Sequence, residues 1–130
     1  MKRIPTVLLL ALSAATACAQ ADVNVLCADA YETAQQEKSP AGGASAMRVV
    51  NAGGRLYFHS APDERCRLKS VFVVPNDRLE VFADHGAYTE VIYWHPVTGA
   101  GTAGWVPSAR LAEMRQMLGY TSARQEDSRP

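Results

Sequence analysis

From Met47 onward, apolar and polar residues alternate in short runs separated by turn residues. Arg78 to Ala83 places Leu79 and Val81 on one face and Glu80 on the other. Tyr88 to Trp94 repeats the pattern, with Val91 and Tyr93 inward and Glu90, Ile92 and Trp94 outward. Met47 to Asn51 leads through Ala52-Gly53-Gly54 into Arg55 to Ser60, which predicts a hairpin with both glycines at positive φ. By the same alternation Leu56 and Phe58 face inward, Tyr57 and His59 outward. Val71 to Val74 is β-branched and aromatic and ends at Pro75-Asn76-Asp77, a turn in which Asn76 takes the left-handed conformation. His95 to Thr102, with Pro96, Gly99 and Gly101, predicts a hairpin loop. Gly104-Trp105-Val106 is a short strand, Pro107 to Arg110 a single helical turn, and Leu111 to Met114 the strand that closes the sheet. The predicted core is Val49, Leu56, Phe58, Phe72, Leu79, Val81, Val91, Tyr93, Val106 and Leu111.

The N-terminal part reads differently. Residues 1–21 combine a basic start (Lys2, Arg3), an apolar run from Val7 to Leu12 and small residues from Ser13 to Ala17. That is the pattern of a bacterial secretory leader, since the apolar run is far below the roughly 18 residues a membrane span needs. Ala19-Gln20-Ala21 fits cleavage before Asp22. Ala15-Thr16-Ala17-Cys18 resembles a degenerate lipobox, in which Cys18 would be lipidated. Val23 and Val25 alternate like a short strand, Ala28 to Glu37 suits a short helix, and Ser39 to Ser45 forms a linker of small residues. The organisation expected is therefore a leader (1–21), an extension with linker (22–46), a β domain (47–118) and a polar tail (119–130).

An exported chain gives its cysteines a meaning. With Cys18 removed or lipidated, Cys27 and Cys66 remain as an even pair in an oxidising compartment, and a disulfide is expected. Cys66 flanked by Arg65 and Arg67 would otherwise suit an activated thiolate, but an exported thiol with a partner is normally oxidised. Charge narrows function further. Lys+Arg and Asp+Glu number 13 each; without Lys2 and Arg3 the balance is 11 against 13, or −2, which argues against nucleic-acid binding by bulk charge. A hydrophobic fraction of 48% with 20% charged residues is globular composition.

Several short strands spaced by turns indicate an all-β fold, a small antiparallel barrel or sandwich. The succession Leu56 to Pro62, Pro75-Asn76-Asp77 before Leu79 and Val81, then Val91 and Tyr93, Gly104-Trp105-Val106 and Arg110-Leu111 resembles the bacterial SH3 domain over about residues 47 to 115. The chain departs from that family's usual pattern at Ala61 and Asn76 and carries an added basic segment around Cys66. The resemblance implies an SH3-like barrel and a non-enzymatic binding module that recognises cell-wall peptide or a cell-wall-associated protein.

Outward aromatics are the natural binding surface of such a barrel: Tyr57, His59, Tyr88 and Trp105 would line a groove, with Trp105 alternatively packed against the barrel rim and Trp94 a further exposed ring. Arg65, Arg67 and Lys69, two apart, would share one face and offer a positive patch to a carboxylate or phosphate. His59, His85 and His95 lack metal-binding spacing, and no nucleophile motif is present, so neither metal nor cofactor nor catalysis is expected. Asp77, Glu80, Asp84 and Glu90 fall at turns and outward strand positions, where water keeps carboxylates ordinary. A second reading of different class is a periplasmic inhibitor or immunity protein that blocks a secreted enzyme or toxin.

Overall fold

The computed structural model describes residues 14–41 and 47–114; the basic and apolar part of the expected leader, most of the small-residue linker and the polar tail lie outside the described residues. The chain opens with one helix, α1 (Ala14–Glu37). No Gly or Pro interrupts this stretch, and its Ala, Leu, Glu and Gln favour helix strongly enough that Val23 and Val25 are carried along. The strand expected at Val23 and Val25 is therefore absent, and the helix expected from Ala28 begins much earlier. It stops where Pro40 forces Ser39 into an extended conformation.

Eight strands follow: β1 (Ser39–Pro40), β2 (Met47–Val50), β3 (Leu56–His59), β4 (Arg67–Val73), β5 (Arg78–His85), β6 (Tyr88–Trp94), β7 (Gly101–Pro107) and β8 (Leu111–Glu113). Single 3₁₀ turns, Glu64–Cys66 and Ser108–Arg110, precede β4 and β8. All pairings are antiparallel, in the order β4-β3-β7-β6-β5-β2-β8, with β1 beside β5. The sheet curls around one core formed by Val50, Leu56, Phe58, Val73, Leu79, Val81, Val91 and Val106, with Tyr93 and Leu111 packed against it and Val49 buried nearby. Each such side chain contributes roughly 1.5–3 kcal/mol on burial. A mostly β, barrel-like architecture with one helix is the result.

Two expectations are corrected here. β2 and β3 do not form a hairpin; β2 pairs with β5 and β8 instead. Gly53 and Gly54 do take positive φ (+136° and +77°), but their turn wraps a side chain. Arg110 donates from Nη2 to the Gly54 carbonyl at 2.8 Å and from Nε to Asn51 Oδ1 at 3.2 Å, and a Cβ on Gly53 would meet its guanidinium at 3.1 Å. A turn filled by a guanidinium cannot close two strands tightly on each other. Phe72 is the second correction: it is 38% exposed, not core, because Leu56 pairs with Val73 and Tyr57 with Phe72, which puts Val73 inside and Phe72 outside.

The helix is fastened across the outer face of the sheet. The Cys27–Cys66 disulfide, with Cα atoms 5.6 Å apart, ties its middle to the turn before β4. In its last turn Ala34 is fully buried, Gln35 Nε2 donates to Glu90 at 3.1 Å, and Lys38, just beyond, reaches the same carboxylate at 2.7 Å. Glu90 pairs with Trp105, and Trp105 with His59, so these residues share the outer face where α1 is anchored.

Candidate functional site

The outward alternation of β3 meets five other elements to form a groove of about 260 Å³. Its lining is Arg55, Leu56, Tyr57 and His59 from β3 and its approach, Glu64 and Arg67 from the 3₁₀ turn and β4, Tyr88 from β6, Pro107 from β7, and Arg110. Along its wall runs a ladder of cations and rings. Arg67 stands 3.8 Å over the Tyr57 ring, Tyr57 and Phe72 are 5.6 Å apart at 54°, and Arg55 stands 4.3 Å over Phe72. Each such cation–ring contact contributes about 0.5–1 kcal/mol at an exposed site. Across the groove, Tyr88 meets His59 edge-on at 5.1 Å.

Electrostatics follows from this crowding. The Arg55 guanidinium, with Arg67, bears on the Tyr57 phenol and holds its pKa below the ordinary tyrosine value. Burial pushes Tyr88 the other way, with Glu64 and Asp63 adding to the rise. His59 is only 5% exposed, and its pKa is lowered chiefly by burial, against backbone hydrogen bonds that raise it. Its Nδ1 is buried with no hydrogen-bond partner among the described residues, a condition that costs roughly 1–3 kcal/mol.

Of the residues expected to bind, the groove brings together Tyr57, His59, Tyr88 and Arg67. His59 and Trp105 face outward as the alternation required, yet they are not open to solvent. Trp105 is 1% exposed on the face α1 crosses, and does not line this groove. Trp94 is 53% exposed at the far end of β6, away from the other aromatics, where its indole N–H donates to Glu80 at 2.9 Å. The basic triplet divides. Arg65 forms a two-pronged pair with Asp63 (2.9 and 2.8 Å), which lowers the Asp63 carboxyl to about 2 and raises the Arg65 pKa. Lys69 and Arg65 line a larger groove of about 730 Å³ between α1 and β4, to which Arg67 also contributes.

Arg55, Arg110 and Glu64 were not foreseen. Arg55 lies two residues before Tyr57 and so shares its face, a signal present in the alternation. Arg110 carries no local signal, because it arrives from a turn more than fifty residues away.

The four carboxylates weighed for acid–base chemistry are each held by a donor. Asp77 accepts from the Val74 amide at 2.9 Å, Asp84 from Thr89 at 2.6 Å, Glu80 from Trp94, and Glu90 from Gln35 and Lys38. Among the described residues no His, Cys, Asp or Glu group is arranged to hold a metal ion, and no helix is long and apolar enough to cross a membrane. Comparison with protein-family models, curated proteins and solved structures finds no match for this chain.

Proposed function

We propose that this chain is an exported, non-enzymatic SH3-like binding module of the bacterial envelope. Its groove beside β3 would receive an extended peptide of the cell wall or of a cell-wall-associated protein. The observation that carries the reading is the convergence of Tyr57, His59, Tyr88 and Arg67 on one groove, rigid rings that lose little entropy on binding beside a guanidinium placed 3.8 Å over one of them. The Cys27–Cys66 disulfide is consistent with a compartment outside the cytoplasm, as the leader-like start of the sequence also suggests. Release at Ala21 or lipidation of Cys18 are the two routes by which such a chain reaches its site.

Sedimentation with purified peptidoglycan tests the reading. The wild-type chain should be retained and Tyr57→Ala should be released, with a thermal midpoint for Tyr57→Ala lowered far less than for Phe58→Ala because the Tyr57 ring is only partly buried. Retention of both proteins alike, or of neither, would remove the groove from the argument.

One observation favours the inhibitor reading instead. The loop between β6 and β7 presents Val97, 87% exposed, on a backbone locked by its own hydrogen bonds. His95 Nδ1 accepts from the amides of Val97 and Thr98 at 3.2 Å each, and the His95 amide donates to the Ala100 carbonyl at 2.8 Å. A preorganised apolar tip suits insertion into a partner's cleft. Val97→Asp would abolish capture of such a partner and leave sedimentation with peptidoglycan unchanged.

A further inference from the structure

The charge of the same groove specifies its ligand more closely, on the premise that it receives a peptide. We propose that the groove binds a free carboxylate of that peptide, held by the guanidinium edges of Arg55 and Arg67, with Arg110 adding a third positive charge.

Elsewhere on the surface, three of the five described cations are matched, while Lys69 and Arg78 form no ion pair within 4.0 Å among the described residues. Lys38 is paired with Glu90, Arg65 with Asp63 and Arg48 with Glu113 at 3.6 Å. The groove concentrates unmatched cations: it gathers Arg55, Arg67 and Arg110 around one acid, Glu64, and none of the three is within 4.0 Å of a carboxylate among the described residues. The guanidinium carbons of Arg55 and Arg67 lie 4.3 and 3.8 Å from the ring centroids of Phe72 and Tyr57, and each group carries N–H edges beyond its ring contact. Those edges are the planar fork that meets a carboxylate with two parallel hydrogen bonds, and the ring contact removes in advance much of the freedom such a bond would otherwise cost. Arg110 is held by the carbonyl of Gly54 and the side chain of Asn51, groups that orient it without neutralising it. The Tyr57 phenol at the groove wall has its pKa lowered first by a side-chain hydrogen bond from Arg55, with the charges of Arg55 and Arg67 adding to it.

Phosphate is the competing anion, and the lining disfavours it. No lysine and no glycine-rich loop of backbone N–H groups contributes, and Glu64 repels a dianion more than a monoanion. A single residue with its carboxylate fits a space of this size, its apolar part resting on Tyr88 and Pro107.

The test is calorimetric titration of the full chain with peptides released from purified peptidoglycan, native or with their carboxylates converted to amides, and separately with inorganic phosphate. The expected result is that native peptides bind, the amidated ones bind about tenfold or more weakly, and phosphate does not compete. Arg67→Gln and Arg55→Gln should each reduce binding of the native peptides by a similar factor and reduce binding of the amidated ones by a smaller one. Arg67→Lys, which keeps the charge but loses the fork, should recover only part of the loss. Equal binding of native and amidated peptides overturns the carboxylate and leaves the peptide groove standing. Absence of binding by either peptide overturns both, and effective competition by phosphate replaces carboxylate with phosphate as the ligand class.

Discussion

At the scale of single residues, burial of a titratable ring couples the groove wall to pH. His59 is nearly enclosed and its pKa is depressed mainly by desolvation, with Arg67 lowering it and Glu64 raising it to smaller extents. The unfolded chain, with His59 at its ordinary value of about 6.5, therefore binds a proton more readily than the folded one. Stability contributed by the neutral ring is complete above that value and is lost as pH falls from about 6.5 toward the depressed folded value. Asp63 does not mask the effect, since its carboxyl, lowered to about 2, keeps its pairing until far more acid conditions. Urea unfolding should show wild type losing more stability between pH 7.5 and 5.5 than His59→Phe does. Equal losses would mean that the imidazole is not desolvated. The outward position of His59 was legible in the alternation of Leu56, Tyr57 and Phe58, but its burial was not. What encloses it is contributed by other elements, and strand alternation assigns a face without saying whether that face is covered.

At the scale of elements, strand phase decides which side chains pack and how closely strands approach. Gly104 illustrates the constraint: a Cβ there would lie 2.9 Å from Phe58 Cδ1 and 3.1 Å from the His59 carbonyl oxygen, and Phe58 is wholly buried. Gly104→Ala is thus expected to destabilise by about 1–3 kcal/mol through overpacking. Phe58→Ala, which empties the same place, should cost about 3–5 kcal/mol. In Gly104→Ala/Phe58→Leu, the smaller side chain should relieve part of the first cost, so the two changes should cost less together than their sum in chemical-denaturation experiments. Strict additivity would show that the two sites do not touch. β5 and β6 could be read nearly to their ends because turn residues bound them and their alternation is long, and the short β8 because a helical turn is predicted before it. β2 and β3 were each read correctly but paired wrongly, since their glycine turn is shaped by Arg110, and a partner so remote leaves no mark on the local pattern. Phe72 was misphased for a simpler reason: Val71 to Val74 is apolar throughout, and an unbroken apolar run does not say which alternate residues face inward.

At the scale of the whole molecule, α1 and the sheet form one body because of a single covalent staple and a small set of contacts near Glu90. The Lys38–Glu90 pair is partly exposed, and pairs of this kind contribute up to about 1 kcal/mol. The disulfide closes a separation of 39 residues, for which the chain-entropy model gives about 4 kcal/mol. The staple should therefore be the larger of the two fastenings. A chain beginning at Asp22 keeps both and should show no free thiol when unfolded without reductant. Its indoles separate the outcomes, because Trp94 is already exposed whereas Trp105 is buried on the face that α1 crosses. In a Trp94→Phe background the fluorescence reports Trp105 alone. Reduction of Cys27–Cys66 should shift that emission to longer wavelength as α1 loosens, lower the unfolding free energy by up to about 4 kcal/mol, and weaken peptide binding, since His59 pairs with Trp105 beneath the same cover. Removal of residues 1–21 in the oxidised protein should change none of these readings. Should the emission of the reduced chain stay where it was, the cover over Trp105 is held by packing at Ala34 and the Glu90 contacts, and the staple acts on the unfolded chain alone.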